Sequence, residues 1–163
     1  MANGPVNTAL KRLTFFQALH HWQKPRVLLV EDNPGDIRLT QEALKESEVE
    51  IVLDVVSDGE QALDFLLKRN KFTDAIRPNI ILLDLNLPKK NGIEVLKEVK
   101  AHDSLQKIPV IVLTTSDADH DISKAYSYHA NCYILKPVDF DDFAKVIRLI
   151  ELFWFNTVQL PNE

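Results

Sequence analysis

Five short runs of apolar residues, each succeeded within a few positions by a helix-start signal, constrain this chain more than any other feature. The runs are Val27–Val30, Ile51–Val56, Ile80–Leu83, Val110–Leu113 and Cys132–Leu135. After the first, Asn33-Pro34-Gly35-Asp36 supplies an N-cap, a proline at the first helical position and a first-turn acid. Ser57-Asp58-Gly59-Glu60, Asn91-Gly92-Ile93-Glu94, Ser116-Asp117-Ala118-Asp119 and Asp139-Phe140-Asp141-Asp142 each place a capping side chain three residues before an acid. The spacing predicts helices over roughly 34–47, 58–68, 92–101, 118–129 and 140–155. Strand-helix alternation of this kind requires right-handed crossovers and a parallel sheet covered on both faces. Continuous Val, Ile and Leu runs agree, because strands buried on both sides need not alternate with polar residues. The expected fold is α/β, a doubly wound (βα)5 five-stranded parallel sheet in the order 2-1-3-4-5, with its switch point between strands one and three.

The residues at the carboxyl ends of the runs matter as much as the runs. The first leads into Glu31-Asp32, the third into Asp84, the fourth into Thr114 and the fifth into Lys136. In this topology those residues converge on one sheet edge, where open α/β folds place their ligand sites. Neighbouring carboxylates resist joint ionisation, and a hard divalent cation relieves the repulsion. Mg²⁺ suits such a site because it keeps waters, takes one or two carboxylates and is completed by phosphate oxygens. An ionised Asp84 is then a nucleophile toward phosphorus, with Lys136 balancing charge and Thr114 hydrogen-bonding a phosphoryl oxygen. Alone, an Asp at a strand end reads as a helix cap and a Lys-Pro pair as a turn. Their ordered convergence is what favours chemistry.

The length of 163 residues suits one domain plus a short extension. A net charge of −5 supplies no basic field for nucleic acid. No apolar run approaches the ~18 residues needed to span a bilayer, so no membrane role and a cytoplasmic location are expected. Cys132, the single cysteine, lies in an apolar run and reads as a small buried hydrophobe. His102, His120 and His129 have no ligand spacing. Leu10, Leu13, Phe15 or Phe16, Leu19 and Trp22 form a helical stripe before Pro25, marking 1–24 as an added amphipathic helix. The segment Arg69–Asn79 is long for a helix-to-strand connection and carries no usable periodicity.

In the last helix, Phe140, Phe143, Ile147, Ile150 and Trp154 form one stripe, which Val146, Leu149 and Phe153 widen beyond what one core face needs. Phe153-Trp154-Phe155, Val158 and Leu160 carry the apolar surface into a tail at 157–163. A homodimer through this helix and tail is the leading expectation, against a tail folded back on its own domain. The polar face, with Asp141, Lys145 and Arg148, lacks the basic strip of a membrane-surface helix.

Val-Glu-Asp-Asn-Pro at 30–34, Leu-Leu-Asp-Leu-Asn-Leu-Pro at 82–88, Leu-Thr-Thr-Ser at 113–116 and Tyr-Ile-Leu-Lys-Pro at 133–137 resemble the receiver domain of two-component response regulators. The resemblance implies a flavodoxin-like receiver fold over 25–156, with Asp84 as phosphoacceptor loaded from a phosphohistidine on a sensor histidine kinase. It also implies Mg²⁺ bound by Asp32 and Asp84 directly, by Glu31 through water, and by the backbone carbonyl of Asn86. Glu31 replaces the more usual aspartate. Thr114 matches the switch hydroxyl, Tyr133 the aromatic switch residue and Lys136 the phosphate-contacting lysine, with a cis Lys136-Pro137 bond. Asn86 and Ser116 are the positions that tune slow self-dephosphorylation; no other enzymatic activity is expected. The aromatic tail, Leu-Thr-Thr-Ser and the 69–79 loop are similar to single-domain regulators paired with cyanobacterial phytochromes, which implies a phytochrome-type kinase as partner. No DNA-binding or enzymatic output domain is read after the last helix, so the expected output is protein binding to an unknown downstream partner. A haloacid-dehalogenase-type phosphatase would want an acid where Asn86 stands. A histidine phosphotransfer domain would need a helical bundle. The rival reading is a constitutive dimeric interaction module in which phosphorylation is incidental.

Overall fold

Val27, Leu28, Leu29 and Val30 are all buried, because the strand they form has partners on both edges and helices over both faces. The computed structural model describes residues 24–47 and 49–161; the helix expected over 1–24 falls almost wholly outside the described residues. The strands are β1 (Arg26–Val30), β2 (Val52–Val56), β3 (Ile80–Leu83), β4 (Val110–Thr114) and β5 (Cys132–Leu135). They pair in parallel in the order β2-β1-β3-β4-β5, as expected. Helices α1 (Pro34–Lys45), α2 (Gly59–Leu66), α3 (Gly92–Ala101), α4 (Asp119–Ser127) and α5 (Phe140–Glu151) come after the strands in turn.

Side chains alternate across each strand, so one sheet yields two cores. Leu28, Val30, Ile81, Leu83, Val110 and Val112 pack with Ala62, Phe65, Val95, Leu96 and Val99 of α2 and α3. Val27, Leu29, Ile80, Leu82, Ile111 and Leu113 pack with Ala43 of α1 and Phe143, Ile147 and Ile150 of α5. The register sets Val30 beside Leu83 and Leu83 beside Val112, which brings the strands' carboxyl ends level.

The helix starts obey the sequence signals with two corrections. Asn33, Asn91 and Asp139 cap as expected, Asn91 in a full capping box with Glu94. At α2 the cap is Asp58 rather than Ser57, its carboxylate accepting from the Gln61 N–H. At α4 the expected cap Ser116 is not used: Ala118 precedes the helix without a side-chain cap, and Ser116 Oγ donates to Asp121 at 2.6 Å instead. The Ser116 oxygen accepts only a long bond from the Ala118 N–H, at 3.5 Å, and the helix begins at Asp119, two residues later than a Ser116 cap would set it.

No peptide bond among the described residues is cis, so the Lys136–Pro137 bond is trans, contrary to the resemblance. The trans form of an X–Pro bond is favoured by about 0.5–1 kcal/mol, and Lys136 reaches its partners from it.

The long 69–79 connection holds a 3₁₀ turn, Asn70–Phe72, whose Phe72 ring meets Phe65 edge-on at 5.4 Å. Asn79 then binds the backbone of Arg26 through both its N–H and its Oδ1. After α5 the chain passes into π-type turns over Leu152–Thr157. Trp154, Phe155 and Leu160 lie half-buried against the second core, whereas Phe140, Leu149, Leu152 and Phe153 are exposed. Phe140 thus leaves the stripe expected to face the core. No helix among the described residues is long and apolar enough to cross a membrane.

Candidate phosphoacceptor and metal site

Strand β3 ends at Leu83, and the backbone N–H of Asp84 still bonds the Val30 carbonyl at 3.0 Å. The sheet therefore carries Asp84 one step past its edge, directly beside the turn that bears Glu31 and Asp32. Glu31 is anchored in the same way, its N–H bonding Val56 O at 3.0 Å. One carboxylate oxygen from each of Glu31, Asp32 and Asp84 lies within 4.8 Å of the others. Glu31 and Asp84 are buried and Asp32 is exposed, so the cluster opens to solvent on one side. Hard oxygen donors this close fit a divalent cation such as Mg²⁺.

Lys136 enters from the end of β5. Its Nζ donates to Asp84 Oδ2 at 2.7 Å, Glu31 Oε2 at 2.5 Å and Asp36 Oδ2 at 2.9 Å, with the side chain almost fully buried. Burial alone pushes the Asp84 carboxyl up. Hydrogen bonds from Lys136, the Asn86 N–H and Thr114, together with the Lys136 charge, outweigh burial and hold Asp84 below its ordinary value. At Glu31 burial wins, and its pKa is raised despite Lys136 and the Asn33 N–H. Burial opposes the Lys136 charge, but three carboxylate bonds raise its pKa well above the ordinary lysine value. The pocket thus holds an ionised Asp84 and a firmly protonated lysine.

The turn after Asp84 is tightly specified. Asn86 N–H donates to Asp84 Oδ1 at 3.0 Å, and Leu85 O accepts from both Leu87 N–H and Gly92 N–H. The Asn86 carbonyl takes no part in these bonds. Gly92 is required: a Cβ there would stand 2.2 Å from the Asp84 carbonyl.

Thr114 ends β4 fully buried, its Oγ1 3.4 Å from the Ser116 N–H. The Tyr133 hydroxyl donates to Ser116 O at 2.8 Å, and its ring packs half-buried on the first core. Ser116 is therefore hydrogen-bonded to both Thr114 and Tyr133. Every site residue singled out from sequence lies at this edge. Asp36, legible only as a first-turn helix acid, also joins the site. Its signal was position: it falls one helical turn after Asp32, on the end of α1 that faces the crevice.

This geometry sits on a chain whose residues 27–148 match the family model of the response regulator receiver domain. The chain is a response regulator receiver. The receiver is 47% identical over 135 residues to the response regulator Rcp1 of Synechocystis sp., covering 83% of this chain and 92% of that protein. The crystal structure of the phosphorylated cyanobacterial phytochrome response regulator RcpA superposes with a TM-score of 0.84 at 45% identity, covering 86% of this receiver and 100% of that chain. The Mn²⁺-bound form of Rcp1 gives 0.82 at 46% identity, covering 85% and 99%.

Proposed function

We propose that this receiver takes a phosphoryl group onto Asp84 from the phosphohistidine of a phytochrome-type histidine kinase, and that its output is association through α5 and the tail. The observation that carries the reading is Asp84 itself: buried, held ionised, hydrogen-bonded by Lys136 and clustered with Glu31 and Asp32. An Asp84 oxygen attacks phosphorus, the P–N bond breaks, and its electron pair stays on the imidazole nitrogen. Lys136 and the Thr114 hydroxyl then hydrogen-bond phosphoryl oxygens. Asp32, Asp84 and the Asn86 carbonyl, with Glu31 through water, would hold Mg²⁺, which would supply positive charge against the phosphoryl oxygens. The Mn²⁺-bound form of Rcp1 supports a divalent ion here, and the likeness to RcpA supports the phytochrome pairing.

A phosphoryl group adds roughly −1.5 to −2 charge. Drawing Thr114 toward it frees space that Tyr133 fills, which reshapes the α4–β5 surface. Asn86 and Ser116 tune the slow loss of the group to water. Leu149, Leu152 and Phe153, each at least half exposed, offer an apolar face for a second copy.

Sedimentation equilibrium with Mg²⁺, with and without a beryllofluoride phosphoryl mimic, tests the link. A mimic-dependent change in association is expected. A dimer of equal strength in both states would favour the constitutive module instead.

A further inference from the structure

Asp58 caps the start of α2 and is not one of the clustered acids, yet it is 3% exposed and bound on three sides. Its Oδ1 accepts the Gln61 N–H at 2.8 Å, which caps α2. Its Oδ2 accepts from Gln61 Nε2 at 2.6 Å and from Lys89 Nζ at 2.7 Å. A cap needs only the first of these bonds. The bond to Lys89 reaches 31 residues along the chain, into the turn that leaves Asp84.

Lys89 is itself unusual. Its φ of 64° lies in the left-handed region, costly for a residue with a Cβ. A conformation of that kind persists when surrounding structure over-determines it. Here the ion pair holds the side chain, and the next residue is clamped: a Cβ at Gly59 would stand 2.1 Å from the Lys90 carbonyl. The start of α2 therefore grips the far half of the 85–92 turn, at Lys89 and at Lys90. The near half contains Asn86, bracketed by its own bond to Asp84 and by the two bonds to Leu85 O.

We propose that Asp58 is a positioning residue for the metal: through Lys89 it fixes the 85–92 turn so that the Asn86 carbonyl is set before Mg²⁺ arrives. This rests on the reading of Asn86 as a metal ligand. A buried carboxylate outside the coordinating set thereby controls affinity by removing freedom from the turn. The pair contributes little through its own Coulomb energy, because the Lys89 side chain is half exposed.

The test is Mg²⁺ titration by calorimetry on the full chain, at a temperature where circular dichroism shows every variant folded. Asp58→Asn keeps an N-cap oxygen but loses the charge that holds Lys89. Lys89→Met removes the same pair from its exposed side and leaves the Asp58 cap of α2 in place. Each is expected to weaken Mg²⁺ binding about tenfold, at the low end of what outer-shell partners contribute. The double variant is expected to lose no more than either single, because both break one interaction. Lys89→Arg, keeping the charge, is expected to stay near wild type. Wild-type affinity in both Asp58→Asn and Lys89→Met, or losses that simply add, would overturn the proposal. Asp32→Asn serves as the reference: if it leaves Mg²⁺ binding unchanged, the underlying metal reading fails, whatever Asp58 does.

Discussion

Lys136 Nζ stands 2.7 Å from Asp84 Oδ2, although 52 residues separate them in the chain. The same ammonium also serves Glu31 and Asp36, so three carboxylates share one buried positive charge. The group that would contact a phosphoryl oxygen is thus the group that holds the acids together beforehand.

Lys136→Met should expose that dependence. With the ammonium gone, buried carboxylates face one another unpaired, and the folded state should lose about 3–5 kcal/mol in the presence of EDTA. Mg²⁺ should restore part of the loss, because it replaces the missing positive charge. Urea melts in EDTA and in Mg²⁺ measure both values.

Metal binding should stabilise the wild-type protein in proportion to its affinity. At Mg²⁺ near one hundred times Kd the gain is about 2.7 kcal/mol, a rise of about 5–10 °C in Tm for a chain of this size. Asp32→Asn should abolish most of that rise while leaving the EDTA value close to wild type, since Asp32 is exposed. Differential scanning fluorimetry in both conditions checks this.

Most of the architecture was legible because strand runs buried on both faces admit few arrangements. Val27–Val30 and Ile80–Leu83 each end one step before their acids, so order and register alone brought Glu31, Asp32 and Asp84 together. The features that escaped the sequence depended on competition in three dimensions. Asp36 read as a helix acid because nothing local shows that Lys136 arrives beside it. Ser116 read as a cap because nothing local shows that α4 starts later, at Asp119, with Ser116 Oγ turned to Asp121. Trp154 lies against the second core as its place in the stripe expects, whereas Phe155 and Leu160 join it past the point where the α-helical wheel gives way to the π-type turns of Leu152–Thr157.

Acid should weaken the contribution of Asp58. Burial alone would raise its pKa, but hydrogen bonds from Lys89 and Gln61 bring it down to about 2. An unfolded Asp titrates near ~3.9, so between these values the unfolded chain binds more protons. The stabilisation is full above about pH 4 and lost as pH falls toward 2. Asp58→Asn should therefore cost on the order of 1–2 kcal/mol at pH 7. The gap from wild type should narrow below pH 4 in urea melts.

Gly92→Ala should damage the site through the backbone. The added Cβ meets the Asp84 carbonyl at 2.2 Å, and neither atom belongs to a flexible side chain. A destabilisation of about 1–3 kcal/mol is expected, with slower phosphoryl uptake because the turn after Asp84 must shift. Rates with a small-molecule phosphodonor, read beside the melting curve, separate the two effects.

The most direct test of the central claim is intact-mass spectrometry after incubation with a small-molecule phosphodonor and Mg²⁺, for wild type and for Asp84→Asn. Wild type should gain the mass of one phosphoryl group, and Asp84→Asn should gain none while keeping a folded circular-dichroism spectrum. Phosphoryl uptake by folded Asp84→Asn at the wild-type level would contradict the account.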